Sequence, residues 1–206
     1  MYKKYFKRFF DFTLSLIALI VFLPVLLLLT IVGAIKMKGN PFFIQLRPGK
    51  NEKIFKLIKF RSMTREKDAD GNLLPDAVRL TKYGKFLRST SLDELPELLN
   101  ILVGNISIVG PRPLLVDYLP RYSPEQRRRH NVCPGLTGYA QAYGRNALTW
   151  EDRFEKDLYY VDHVSFLLDV KIIIKTISVV LKRENISSET SATMEKFLGT
   201  EKITKN

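Results

Sequence analysis

The chain has 206 residues, a formal net charge of +12 at pH 7 and a pI near 9.7. That length supports one domain with a real core plus an appendage, and the charge asks for an anionic partner: nucleic acid, anionic lipid or a phosphorylated small molecule. A single cysteine, Cys133, excludes an internal disulfide, and with His130 and His163 it cannot build a zinc site unless carboxylates help.

Residues 1–8 carry Lys3, Lys4, Lys7 and Arg8 among aromatic residues, and an uncharged apolar run follows from Phe12 to Ile35. The run is long enough to cross a bilayer as a helix and too long for the core of a signal peptide. Both flanks are basic, with Lys36, Lys38, Arg47 and Lys50 after the run. The positive-inside rule asks for one basic side, so placing both ends on the cytoplasmic side removes the conflict. Pro24, in the middle of the run, lacks the N–H for the carbonyl of Ile20 and supplies the break. The expectation is a re-entrant helix–break–helix, with Lys7 and Arg8 at headgroup level; a kinked spanning helix is the alternative.

The soluble part begins at Asn40-Pro41. Phe42–Leu46 reads as a strand and Arg47–Gly49 as a turn. Ile54–Phe60 reads as a second strand, with Phe55, Leu57 and Lys59 sharing one face. A polar stretch from Glu66 to Pro75 reads as a surface loop turning at Asp70-Gly71-Asn72; it lacks the glutamate of an EF-hand. Arg79–Arg88 reads as a short amphipathic helix that brings Arg88 close to Asp93.

Asp93 and Glu94 are adjacent carboxylates at a helix start. Ser91 with Glu94 makes one capping reading, and Asp93 itself makes another, with Pro96 in the first turn. Leu95, Leu98, Leu99 and Leu102 form the predicted buried stripe. Gly104-Asn105 ends the helix, Ile106–Val109 is a short strand, and Gly110-Pro111-Arg112-Pro113 is a rigid turn carrying one guanidinium. Capping explains one carboxylate; it does not require two beside a Pro-Arg-Pro turn.

Ser123–Gln126 starts a helix carrying Arg127, Arg128, Arg129 and His130, with no aromatic ladder or nucleic-acid motif beside it. Val132–Gly138 is a Gly/Pro-rich loop. Gly144-Arg145-Asn146 lets backbone approach a phosphate while the guanidinium binds it. Trp150–His163 and Leu167–Leu181 read as helices, the second packed on the core with one face near lipid. The tail from Glu184 is polar, and only Met194, Phe197 and Leu198 can dock it.

Ser91–Pro96, Val109–Pro113, Lys59-Phe-Arg-Ser-Met63 and Pro134–Gly138 through Asn146 together resemble the bacterial sugar transferase family, the monotopic phosphoglycosyl transferases in their small form. The likeness covers about residues 1–183 and is greatest to the members that begin N-linked protein glycosylation. It implies an α/β fold, mostly helical with short strands, divided into a re-entrant anchor at 1–38, a cytoplasmic catalytic domain at 39–183 and a tail at 184–206. It implies transfer of a phosphosugar from a UDP-sugar, an N-acetylated amino sugar, to polyprenyl phosphate. Asp93 would be the nucleophile, Glu94 its partner, and Mg²⁺ would sit at Asp93. Lys59, Arg88, Arg112 and Arg145 would hold phosphates, and Pro111, Arg112 and Pro113 would contact the nucleotide. The expected location is the inner membrane, on the phospholipid bilayer, without nucleic acid. One departure is Leu23, where many members carry serine before the proline. Two other functions fit parts of the sequence: a membrane-anchored basic adaptor, which gives Asp93-Glu94 no role, and a nucleotide-sugar hydrolase.

Overall fold

The computed structural model describes residues 1–144, 148–182 and 196–199. Arg145 and Met194 therefore lie outside the described residues. After a π-helical turn over Tyr2–Phe6, helix α1 runs from Lys7 to Lys36 and is continuous through Pro24. The expected break is thus not an end of the helix: Pro24 removes the bond to Ile20 and the helix carries on.

One face of α1 is inward on both sides of an exposed turn at Ile20–Pro24. Lys7, Asp11, Ser15, Leu29 and Gly33 are buried, and Ala18, Leu19, Val25 and Leu26 between them pack on core clusters. The other face, including Phe9, Ile17, Ile20, Val21, Leu28, Ile31 and Ile35, is exposed and apolar. Its most apolar window is 11% buried. Water is a costly neighbour for such a face, at about 25 cal/mol per Å², so α1 fits a membrane anchor that is also docked along one side of the domain.

Strand β1 (Phe42–Pro48) and strand β2 (Ile54–Phe60) form an antiparallel hairpin, with Phe42 opposite Phe60 and Pro48 opposite Ile54. The first strand outruns its predicted end, and Gly49–Lys53 makes the reversal, with Asn51 and Glu52 at positive φ. Phe55 and Leu57 are buried on the face they share with Lys59, as the alternation predicts. In the polar loop, Asp68 Oδ1 accepts from the N–H groups of Asp70 and Asn72.

Helices α2 (Asp76–Arg79) and α3 (Lys82–Ser89) split the single predicted helix, because Thr81 caps α3 through the N–H of Gly84. Helix α4 (Glu97–Val103) ends at Gly104, whose φ of 92° suits glycine. Its buried face is Leu98, Asn100 and Ile101, whereas Leu99, placed in the stripe by sequence, is exposed. The helix starts later than predicted, and its buried face includes Asn100, which bonds to the backbone of Lys56 and Ile58 in β2.

Strand β3 (Ser107–Val109) pairs in parallel with strand β4 (Gly135–Thr137). Between them, α5 (Pro124–Arg127) opens with the Ser123–Gln126 capping box and gives way to a 3-10 turn over Arg128–Asn131. Arg129 and His130 are buried there, so the arginine-rich stretch is not a solvated basic face. Helices α6 (Tyr139–Ala142), α7 (Trp150–Asp162) and α8 (Phe166–Lys182) complete the domain. The result is mixed α/β, mostly helical, with two small sheets. Phe197 is 1% exposed among Tyr118, Tyr122, Trp150 and Phe154, while Leu198 stays exposed.

The anchor is tied to the domain by buried polar groups. Asp11 accepts from Ser107 Oγ and from the N–H of Ile108 at 3.0 Å. Asp169 of α8 accepts from Lys7 Nζ at 2.7 Å and from the hydroxyls of Tyr2 and Tyr160 at 2.6 and 2.7 Å. Lys7, expected among headgroups, is 8% exposed and points into the protein, because a buried carboxylate draws it there. Arg8 is exposed, over the ring of Phe12, but donates to the carbonyls of Ile101 and Leu102 at the end of α4.

Candidate active site

Three segments converge on Asp93. The first is the turn that carries it. Ser91 adopts left-handed backbone, φ 56° and ψ 17°, and Leu92–Glu94 winds into a 3-10 turn ahead of Pro96. Neither capping reading holds: no side chain caps α4, whose N-cap is Pro96. The acidic pair is free for another use.

The second segment is β2. Its alternation aims Lys59 at the turn, where Nζ donates to Glu94 Oε1 at 2.7 Å and lies 3.0 Å from Glu97 Oε1. Glu97 is 3% exposed.

The third is the Gly110–Pro113 turn that follows β3. Arg112 donates to the same Glu94 Oε1 at 2.7 Å. Three successive carbonyls hold this turn from behind. Pro111 O accepts from Gly135 N at 3.0 Å, Arg112 O from Arg129 at 2.8 Å, and Pro113 O from Arg47 at 3.2 Å. A Cβ on Gly110 would fall 2.3 Å from the Cys133 carbonyl, so only glycine lets the two strands approach this closely. Pro111 and Pro113 are buried and stiffen the turn; Arg112 is its partly exposed side chain.

Asp93 differs from its neighbour. It is partly exposed and, among the described residues, forms no side-chain hydrogen bond or ion pair. Burial of its carboxyl and the adjacent Glu94 charge push its pKa up to about 6, against the pull of Lys59, Arg112 and Arg88. Glu94 is also desolvated, but Arg112 and Lys59 overcome that and hold it well below the ordinary carboxylate range. Burial pushes Glu97 up to about 7, with Lys59 opposing and Glu94 adding to the rise. Lys59 is desolvated too, yet Glu94 keeps it protonated above its usual value. Glu94 is therefore a fixed anion locked to two cations, and Asp93 is an unengaged carboxylate beside them.

Arg88 reaches this site from the end of α3, with Nε donating to Ser62 Oγ at 3.0 Å. The charges of Lys59, Arg88 and Arg112 all act on Asp93, with Glu94 beside it. Arg145 lies outside the described residues. Pro24, Lys7 and Arg8 belong to the anchor.

Sequence reading missed Glu97, although its place four residues after Asp93 puts it on the same side of helical structure. It also missed the clamp behind Arg112. Arg129 and Asp157 are each 2% exposed and meet at 2.6 Å; only the fold brings α5's neighbourhood against α7.

Among the described residues no three His, Cys, Asp or Glu side chains converge on a metal position. A protein-built cage is therefore not what Asp93 offers. Mg²⁺ commonly takes one or two carboxylates and completes its shell with water and substrate phosphates, and the unengaged Asp93 fits that mode. Chemically, the site offers an unengaged carboxylate beside cations of the kind that neutralise a phosphate.

The family model described as bacterial sugar transferase matches residues 2–183. An uncharacterized sugar transferase of Bacillus subtilis, EpsL, is 51% identical over 193 residues, covering 94% of this chain and 96% of that protein. The UDP-glucose:undecaprenyl-phosphate glucose-1-phosphate transferase of Klebsiella pneumoniae is 42% identical over 84% of this chain, which spans 39% of that longer protein. The UDP-N-acetylgalactosamine-undecaprenyl-phosphate N-acetylgalactosaminephosphotransferase of Aeromonas hydrophila is 36% identical over 85% of this chain and 43% of its own length.

Proposed function

Because the chain belongs to the bacterial sugar transferase family, we propose that it moves a sugar 1-phosphate from a UDP-sugar to undecaprenyl phosphate, in two displacements at Asp93. An Asp93 carboxylate oxygen attacks the sugar-bearing phosphorus. The bond from that phosphorus to the bridging oxygen breaks, and UMP leaves with the electron pair. A phosphate oxygen of the polyprenyl phosphate then attacks the same phosphorus, releasing the carboxylate and giving polyprenyl-diphosphate-sugar. The names of the Klebsiella and Aeromonas relatives support this reaction class. The observation that carries the assignment of roles is the contrast within the pair: Glu94 is held by Lys59 and Arg112, and Asp93 is not.

Lys59 and Arg112 fix Glu94 and present positive charge to the diphosphate; Arg88 adds to that field. Arg145 keeps the phosphate-binding role that the family resemblance gives it. Mg²⁺, held by Asp93 and substrate phosphates, would neutralise charge on the transferring group. The preferred sugar is read as an N-acetylated amino sugar. Relatives named for glucose and for N-acetylgalactosamine make a panel of UDP-sugars the direct test. UMP release by purified protein, dependent on undecaprenyl phosphate for continued turnover, is the expected result. No UMP release from any UDP-sugar would leave the adaptor; continuous release without lipid would identify a hydrolase.

The rate of single-turnover UMP release should rise as pH increases through about 6, because Asp93 is protonated and not nucleophilic below that value. The acidic cluster titrates as a unit, so the limb belongs to the cluster. A rate that does not change across this range would mean that the acidic cluster carries no proton the step must lose.

The anchor is read as monotopic, with α1 held in the cytoplasmic leaflet of the inner membrane and both of its ends on the cytoplasmic side. Both ends of α1 touch one domain: Lys7 pairs with Asp169 at the start, and the Tyr83 hydroxyl donates to the Leu29 carbonyl at 3.1 Å near the end. A helix crossing about 30 Å of hydrocarbon would carry its ends to opposite sides. Cysteines at Lys3 and Lys38 should both resist a membrane-impermeant thiol reagent in intact cells. Labelling of Lys3→Cys alone would establish a spanning helix.

A further inference from the structure

Arg47 stands out among the cations near the site. Two guanidiniums support the Pro111–Pro113 turn, and they differ in one respect. Arg129 is neutralised by Asp157, which it meets through both Nε and a terminal nitrogen. Arg47 donates to Pro113 O at 3.2 Å and to the neutral Gln45 Oε1 at 2.6 Å. It forms no ion pair among the described residues, and its Nε is buried without a hydrogen-bond partner. Partly buried cations are ordinarily paired. Burial, and then the nearby Arg112, lower its pKa to about 10, so it stays charged at neutral pH while feeling a like charge.

We propose that Arg47 is a positioning residue of the diphosphate site: it fixes the Arg112 turn through the Pro113 carbonyl, and its positive charge is balanced by the bound substrate's diphosphate. The inference rests on the nucleotide-sugar reading above. It assigns Arg47 a role that Arg129 does not share, since Arg129 already has its counter-ion.

The test is UDP binding to the full-length chain in lipid nanodiscs, at two ionic strengths, with melting temperatures measured in parallel. Arg47→Gln and Arg47→Met are neutral; the methionine preserves much of the apolar stem. Both should bind UDP about tenfold more weakly than wild type, as expected for loss of a charge-assisted interaction. Both should also show a shallower salt dependence. Arg47→Lys should recover most of the affinity, because it restores charge without the fork. Neutral variants that fold and bind UDP like wild type would overturn the inference. So would a lysine variant as weak as the neutral ones, which would reduce Arg47 to a structural hydrogen bond. Absence of UDP binding by wild type would overturn the nucleotide-sugar reading itself, and this inference with it.

Discussion

Asp93→Asn is expected to abolish UMP release even in a single turnover, a loss of roughly 10⁴-fold or more if Asp93 forms the covalent bond. Asparagine keeps the shape and removes both the charge and the attacking oxygen's nucleophilicity. The fold should survive, because the Asp93 side chain makes no hydrogen bond or ion pair among the described residues. The decisive measurement is intact mass after incubation with a UDP-sugar and Mg²⁺ but no lipid acceptor. Wild type should gain one phosphosugar, mapped by proteolysis to the peptide holding Asp93 and removed by undecaprenyl phosphate. Glu94→Gln should behave differently. It disconnects Lys59 and Arg112 from their shared anion, so the rate should fall while any adduct still maps to Asp93. Turnover through a ternary complex with no adduct under quenched conditions would make Asp93 a metal ligand instead.

How much of this was legible in the sequence depends on the range of the interaction involved. Lys59 could be placed because strand alternation is local, and β2 carries Phe55, Leu57 and Lys59 on one face as the period requires. Gly104 could be read as a helix stop for the same reason. The capping of α4 was misread because Ser91 adopts a left-handed conformation, which a residue with a side chain does not advertise. That one backbone choice delays the helix start, and Asn100 takes a buried place on the face by bonding to β2. Lys7 was misread because its partner, Asp169, lies 162 residues away. A basic residue before an apolar helix has the same sequence appearance whether it meets a headgroup or a buried carboxylate. The Arg112 motif was recognisable as a short string, but the groups that hold it come from β1, β4 and the turn after α5. A motif shows the residue facing the substrate and omits its support.

That support gives the second large effect. Asp157→Asn alone should destabilise the domain by about 3–5 kcal/mol, because it leaves Arg129 and the buried Arg153 without their shared anion. Arg129→Met should cost less, because Arg153 still faces Asp157. The Arg129 and Asp157 side chains are 2% exposed, and Arg129 also donates to the Arg112 carbonyl. Thermal melts would register the loss, and activity would fall with it, so a single variant does not separate fold from site. The double variant Arg129→Met, Asp157→Leu does. Replacing a buried ion pair by apolar groups of similar size is often close to neutral for stability. Arg153 also loses the field of Asp157, so the double variant should melt above Asp157→Asn, though not fully at wild type. It still lacks the donor to Arg112 O, and the turn keeps the bonds of Gly110 to the Thr137 carbonyl, of Gly135 to Pro111 O and of Arg47 to Pro113 O. Arg112 would lose its fixed approach to Glu94, and the rate should remain at least about tenfold below wild type, the order expected for one displaced charge-assisted contact. Recovery of both stability and rate would mean that the turn needs no clamp from Arg129. Recovery of stability alone would place the buried pair's purpose in the site, since a cheaper apolar core would serve the fold equally well.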